Sequence, residues 1–114
     1  MRLKSGIFVS ALLRRAQVEG AYGLVVRRGS EEAGVIFVKV NALDGTAALY
    51  GPALQSAFED DHPADRKFSI LVPPGQPEAE ADARLVKEIR FDPDLWVVEL
   101  EDRQGRHFLD LARD

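Results

Sequence analysis

The stretch Gly34 to Gly51, GVIFVKVNALDGTAALYG, decides the fold. Its first half is an apolar run rich in β-branched residues, which is typical of a strand. Asp44-Gly45 tolerates the positive φ angles of a tight hairpin turn. We therefore predict two paired strands, over 35–43 and 46–50. Alternation of side chains places Ile36, Val38 and Val40 on one face, toward a core, and Val35, Phe37 and Lys39 on the other.

The segment before this hairpin is predicted to begin with a helix over residues 5–19. Ser5 can cap its start, and Gly20 can end it in a left-handed conformation. An alternative is a strand over 4–10 followed by a shorter helix, because Ile7-Phe8-Val9 also suits a sheet. The helix is favoured by apolar residues at helical spacing, namely Phe8, Val9, Leu12, Leu13 and Ala16.

The remaining pattern predicts further strands and a second helix. The polar loop GSEEAG, residues 29–34, is predicted to join strand 21–28 to the central hairpin, which gives a three-stranded meander. Residues 53–67 are predicted as a long loop with a short helical turn near 54–58. The other predicted elements are strands 68–72, 95–100 and 106–111 and a helix over 77–90. The sum is one α+β domain, 1–114: a two-layer sandwich with a mainly antiparallel sheet of about six strands and two helices.

Composition excludes several kinds of site. The chain has 114 residues, no cysteine and a formal net charge of −4. Disulfides, thiolate metal sites and a cysteine nucleophile are therefore absent, and the lack of a basic surplus disfavours nucleic-acid binding. No apolar run approaches the roughly 18 residues of a membrane span, and nothing after the basic start resembles a signal cleavage site. We predict a cytoplasmic protein that needs no cofactor and has no membrane association.

Several segments together resemble one protein family. They are RLKSGIFVSALLRR, GLVVRRGSEEAG, FVKVNALDGTAALYGP and DPDLWVVELEDRQGR. In this order they are similar to domain-of-unknown-function family 1491, a family of small alphaproteobacterial proteins, over nearly the whole chain. The resemblance implies a stand-alone bacterial domain, and it implies no reaction, ligand or catalytic residue.

Two groups of residues suggest metal or acid–base chemistry. Glu59-Asp60-Asp61-His62 combines carboxylates with an imidazole, but adjacent side chains on a loop rarely converge on one ion, so a solvated acidic loop is the simpler interpretation. His107 lies in a predicted strand, where a partly buried histidine that donates one structural hydrogen bond is commoner than a proton-transfer group. We therefore assign no catalytic residue and no metal ligand.

Two pairs of arginines are the candidate ligand-binding residues: Arg14, Arg15, Arg27 and Arg28. If the first helix packs near the end of strand 21–28, the four guanidinium groups can gather into a patch for phosphate or carboxylate. The simpler interpretation is that each pair is solvated and balanced by Glu19, Glu31 and Glu32. The loop 29–34 lacks the glycine-lysine motif of a phosphate cradle, and Trp96 is most simply a core residue.

The sequence therefore supports two main hypotheses about function. The leading one is a small binding or protein-interaction domain without catalytic activity, with a homodimer through a sheet face or the first helix. Its motivation is apolar surface on the second sheet face that two helices do not obviously cover, from Val35, Phe37, Leu71, Leu95 and Val97. The alternative is a domain for an anionic or phosphate ligand, or an enzyme with a weak sequence signal, that uses the arginine pairs with His62 or His107.

Overall fold

The computed structural model describes residues 3–54 and 66–112 and contains two helices and five strands. The predicted helical turn near 54–58 and the acidic group Glu59–His62 lie outside the described residues. Neither described helix is long and apolar enough to cross a membrane. In chain order the elements are α1 (Ser5–Val18), β1 (Tyr22–Arg27), β2 (Ile36–Asn41), β3 (Ala47–Pro52), β4 (Phe68–Val72), α2 (Glu78–Phe91) and β5 (Trp96–Glu101).

The central hairpin forms as predicted. β2 and β3 are antiparallel, with Val38 opposite Tyr50 and Val40 opposite Ala48. The Asp44 carboxylate accepts hydrogen bonds from both the backbone N–H and the hydroxyl of Thr46, at 3.0 and 2.6 Å. Gly45 has a φ of 91°, which a residue with a Cβ rarely adopts. The sequence of the turn therefore fixes the register of this pair.

The predicted meander is wrong, because β5 lies between β1 and β2. The sheet order is β1-β5-β2-β3-β4, with β5 antiparallel to β1 and parallel to β2. The sheet is therefore mixed, although three of its four pairings are antiparallel. A strand buried on both faces belongs inside a sheet. β5 meets that condition, whereas β1 has exposed residues on its outer face and forms an edge.

The two helices lie on opposite faces of the sheet, so the sheet is the middle of three layers rather than one half of a two-layer sandwich. Val9, Leu12 and Ala16 of α1 pack against Ile36, Val38 and Val40, together with Trp96, Val98 and Leu100. Ala81 and Leu85 of α2 pack against the other face. That face carries Phe37, Leu95 and Val97, each at most 5% exposed. The apolar surface that motivated a dimer through the second sheet face is covered by α2.

The predicted strand over 106–111 does not form. Its one ladder contact is an isolated bridge between Phe68 and Leu111. The segment instead lies against the α1 face of the sheet, where Phe108, Leu109 and Leu111 join the core. The α+β class is confirmed, with five strands in place of six.

The first helix is confirmed over the strand alternative, but its start differs from the prediction. Ser5 is the first helical residue, and its hydroxyl donates to the Gly34 carbonyl at 2.5 Å instead of capping the helix. The backbone N–H groups of Ser5 and Gly6 donate to the carbonyls of Glu32 and Glu31. The loop after β1 therefore satisfies the first turn of α1. Gly20 ends the helix with a φ of 90°, as predicted.

Candidate functional site

The second arginine pair lies at the end of β1, and its two members have separate partners. Arg27 donates to the Pro93 carbonyl at 2.7 Å. Arg28 forms an exposed ion pair with Glu31 at 3.7 Å, and its guanidinium carbon lies 5.4 Å from the centre of the Trp96 ring. Trp96 itself is a core residue, as predicted. The two arginines therefore contact the loops that precede β5 and β2.

The first arginine pair lies farther along α1. Gly6 contacts the loop after β1, and Arg14 follows eight residues later, which is about 12 Å along a helix axis. Arg15 donates to the Phe108 carbonyl at 3.4 Å, whereas Arg14 is exposed on the outer side of the helix. The structure does not bring the four guanidinium groups to one shared contact. Anion binding by the arginine pairs stays a prediction.

Arg15 lines a cleft that the sequence did not reveal, between α1 and residues 108–110. The cleft has a volume of about 610 Å³. Apolar side chains of Phe8, Leu12 and Phe108 contribute to its walls, and its charged residues include Arg15 and Arg66. We call it the arginine cleft. It combines apolar lining with a few polar groups, which is the usual composition of a small-molecule site.

Arg66 is held in place at one side of the arginine cleft. Its guanidinium donates to the Leu3 carbonyl at 2.8 Å and to the Ser5 hydroxyl at 3.2 Å. The guanidinium carbon lies 5.5 Å from the centre of the Phe8 ring. These contacts fix the direction of the cation before any ligand arrives. A preorganised cation loses less side-chain entropy when it binds an anion.

The carboxylate of the arginine cleft is already engaged. Asp110 accepts a hydrogen bond from the Lys67 ammonium at 2.7 Å. Arg15 and Arg66 are the cations among the described residues that line the cleft.

The C-terminal wall of the cleft carries backbone strain. Phe108 has a φ of 58°, in the left-handed region that is uncommon for residues other than glycine. An ion pair between Arg106 and Asp102 at 2.9 Å anchors the preceding turn, and the Arg106 guanidinium lies over the Phe108 ring. The hydrogen bonds from Arg106 hold the pKa of the Asp102 carboxyl below its ordinary value. Strained residues concentrate at ligand sites, and Phe108 is a strained residue that lines the cleft.

His107 has a structural role beside this wall. Its ring lies 4.9 Å from the Tyr50 ring, and its Nδ1 accepts the backbone N–H of Leu109 at 2.9 Å. We expected the imidazole to donate its structural hydrogen bond, but the ring nitrogen accepts one instead. Burial lowers the pKa of His107. The neutral imidazole therefore supports the fold of residues 107–109.

Lys39 lies on the second face of the sheet, as predicted, but the ionic cluster around it was not predicted from the sequence. The ammonium donates to Glu78 and Asp82 of α2, at 2.7 Å each, and lies 3.7 Å from Glu99 of β5. Burial lowers the pKa of Lys39, but the bonds to Asp82 and Glu78 and the charge of Glu99 outweigh it, so the pKa lies above its ordinary value. A lysine inside an apolar strand, followed by acids four residues apart on a helix, was the available signal.

No metal site is evident in the part of the chain that the structure describes. No group of three histidine, aspartate or glutamate side chains within residues 3–54 and 66–112 is arranged to hold an ion. The Lys39 cluster gathers carboxylates around an ammonium, which occupies the position that a cation would take.

Comparison with known proteins places this fold in a family. A family model described as "Protein of unknown function (DUF1491)" matches residues 3–110. The chain belongs to the DUF1491 family. The family resemblance predicted from the sequence is therefore confirmed. No curated protein matches the chain.

Solved structures of DUF1491 proteins share the whole fold. The crystal structure of a family member from Caulobacter crescentus CB15 is 39% identical, covers 99% of this chain and 100% of its own, and has a TM-score of 0.80. The solution structure of protein Atu0922 from A. tumefaciens is 45% identical, covers 100% of this chain and 98% of its own, and has a TM-score of 0.84. An NMR structure of a Caulobacter crescentus CB15 member is 38% identical, covers 99% of each chain, and has a TM-score of 0.78.

Proposed function

We propose that this DUF1491 protein is a binding domain without catalytic activity, whose ligand is an anion that carries an apolar portion. The observation that carries the proposal is the arginine cleft, which Arg15 lines together with apolar side chains. We place this role in the cytoplasm, which suits a chain without cysteine.

The cleft suits such a ligand for two reasons. A guanidinium group presents its donors in a planar fork that matches a carboxylate or a phosphate, so Arg15 can hold the charged end. The walls from Phe8, Leu12 and Phe108 can cover the apolar end, and each methylene removed from water contributes about 0.8 kcal/mol. A short alkyl carboxylate or alkyl phosphate has both parts.

The structural contacts of Lys39 and His107 support a role without catalysis. Lys39 is held as an ammonium ion, which is not a nucleophile. His107 uses Nδ1 for a backbone hydrogen bond beside Tyr50. Both residues stabilise packing in the described part of the chain, and neither lines the arginine cleft.

Titration of the ¹⁵N-labelled protein with octanoate, octyl phosphate and octyltrimethylammonium tests the proposal. We expect the two anions to shift the amide signals of Phe8, Leu12 and Leu109. The matched variants are Arg15→Gln and Arg14→Gln, which change neighbouring residues of α1. Arg15→Gln should weaken octanoate binding about tenfold, the loss of roughly 1.4 kcal/mol, and Arg14→Gln should not change it. Equal weakening by both variants, equal binding of the cation, or shifts confined to other surfaces would contradict the proposal.

A homodimer through the first helix is a second candidate. Ile7, Ala11, Arg14 and Val18 occupy one side of α1 and are exposed. They follow the helical spacing of a contact stripe, with one charge in its middle. Sedimentation at micromolar concentration tests it: a dimer that Val18→Glu converts to a monomer supports this candidate, and a monomer at all concentrations rejects it.

A further inference from the structure

On the face of the sheet that α2 covers, α2 does not pack on β1. The register places Tyr22 and Leu24 on this face, where Tyr22 is 62% exposed and Leu24 is half-buried. Val26, in the bulge that follows, is 55% exposed. Val86 of α2 is also exposed, at 55%. We call this surface the β1 trough and define it by Tyr22, Leu24, Val26, Glu99 and Glu101 on the sheet and by Asp82 and Val86 on α2.

The trough exists because one helix is too narrow for this sheet. A helix with its side chains is about 10 Å wide, whereas neighbouring strands lie about 4.8 Å apart, so one helix covers only part of a five-stranded sheet. α2 packs through Ala81 and Leu85 on residues of β2, β3 and β5 and on Val72 of β4. β1, at the far edge, is beyond its reach. On the opposite face, α1 contacts β1 directly.

The apolar strip is bordered by carboxylates. The register places Glu101 opposite Tyr22 and Glu99 opposite Leu24. Asp82, whose side chain is 56% exposed, lies across from them on α2. Lys39 is the cation bonded into this group, and it is nearly buried under Glu78 and Asp82. Beyond the bulge, Arg27 lies opposite Val97 and donates to the Pro93 carbonyl, so the carboxylates of the β1 trough outnumber its cations.

We propose that the β1 trough is a docking surface for a basic amphipathic helix of a partner protein. The strip from Tyr22 to Val26 extends about 13 Å, which matches two to three helical turns of about 5.4 Å. Apolar residues on one side of such a helix cover the strip, and lysine or arginine side chains on its flank meet Glu99, Glu101 and Asp82. The bound helix takes the place of a second helix beside α2.

Two other occupants fit the surface less well. An added strand requires a regular edge, but the ladder of β1 shifts register between Val25 and Arg27, and such bulges block strand addition. A second copy of the chain brings the same acidic trough to a symmetric contact, which sets carboxylates against carboxylates. Charge complementarity therefore selects a basic helix.

A pair of synthetic helical peptides tests the proposal. The first has leucines at i, i+3 and i+4 spacing flanked by lysines, and the second has glutamates in place of the lysines. Binding is followed by fluorescence anisotropy, and ¹⁵N spectra of the full chain locate the contact. We expect the lysine peptide to bind with submillimolar affinity, to shift the signals of Leu24, Val26 and Glu101, and to weaken as salt rises, since screening removes the charge attraction.

Matched variants separate the β1 trough from the general acidity of the chain. Val26→Asp and Glu101→Lys alter the trough, whereas Ile70→Asp on β4 and Glu80→Lys on the outer side of α2 make the same changes elsewhere. Each trough variant should weaken the affinity for the lysine peptide about tenfold, and each control should change that affinity by less than about twofold.

Each of the following results overturns the proposal: no binding of the lysine peptide up to about 1 mM, equal binding of the glutamate peptide, equal effects of Glu101→Lys and Glu80→Lys, or contact signals on the α1 face. A dimer that Val26→Asp converts to a monomer also overturns it, because a second copy then occupies the trough. Circular dichroism of each variant confirms that the fold is retained. Octanoate binding is measured separately, so failure at one surface is distinguished from failure at the other.

Discussion

Replacement of Lys39 by methionine tests whether the ionic cluster stabilises the fold. The ammonium makes two hydrogen bonds of 2.7 Å to carboxylates, and its side chain is 7% exposed. Hydrogen bonds to charged groups contribute about 1.5–3 kcal/mol each when buried. The Glu78 and Asp82 side chains are 37% and 56% exposed, so solvent screening reduces each bond to about 1 kcal/mol.

The total cost also includes the acid left without its cation. The Glu99 side chain is 17% exposed and loses the ammonium at 3.7 Å, although Asn41 still donates to it at 3.4 Å. An unpaired buried group costs about 1–3 kcal/mol, and methionine keeps most of the packing of the lysine stem. We expect Lys39→Met to lower the free energy of unfolding by about 2–4 kcal/mol at pH 7.

Urea unfolding followed by the fluorescence of Trp96, the single tryptophan, measures this difference. Lys87→Met, at an exposed position of α2, is the control and should change stability by less than about 0.5 kcal/mol. Lys39→Met should lower the free energy of unfolding by less when Glu99 is already replaced by Gln. Because the pKa of Lys39 is raised above 10.5, its contribution is complete below pH 10.5 and is lost as pH rises through the higher folded value. A cost under about 1 kcal/mol, or no coupling to Glu99, would refute the reasoning.

Three further predictions concern the core and the cleft wall. Gly29→Ala should destabilise the fold by about 1–3 kcal/mol or more in urea unfolding, because a Cβ there meets the Asp94 carbonyl oxygen. Leu12→Ala should cost about 2–5 kcal/mol in the same assay, since Leu12 is buried; a smaller cost would mean that α1 packs loosely. Burial holds the pKa of His107 below 6.5, so the unfolded chain binds the proton first and stability should fall as pH drops through 6.5. His107→Phe should remove that part of the pH dependence, as measured by thermal unfolding between pH 8 and 5.5.

Local patterns predicted the elements whose causes are local. The Asp44-Gly45 turn, the apolar spacing of α1 and the alternation along β2 each indicate a conformation that neighbouring residues enforce. The structure confirms all three. Residues 106–111 have a strand-like sequence, but their apolar side chains pack on the α1 face, so burial overrides local preference.

The order of the strands depended on long-range packing. β5 lies between β1 and β2, where both of its faces are buried. The sequence of loop 29–34 does not indicate that another strand separates the two strands that it joins. The covering of the second face was also undecided, since the sequence does not say on which side of the sheet α2 lies.

The sequence by itself determined the helices, the central hairpin and the absence of thiol chemistry, because these follow from side-chain spacing and residue type over a few neighbours. Only the tertiary structure decided that Arg15 meets Arg66 and Phe108 at one cleft, and that Lys39 meets Glu78, Asp82 and Glu99. These contacts join residues that are distant along the chain, and their proximity results from how helices and strands share the burial of one sheet.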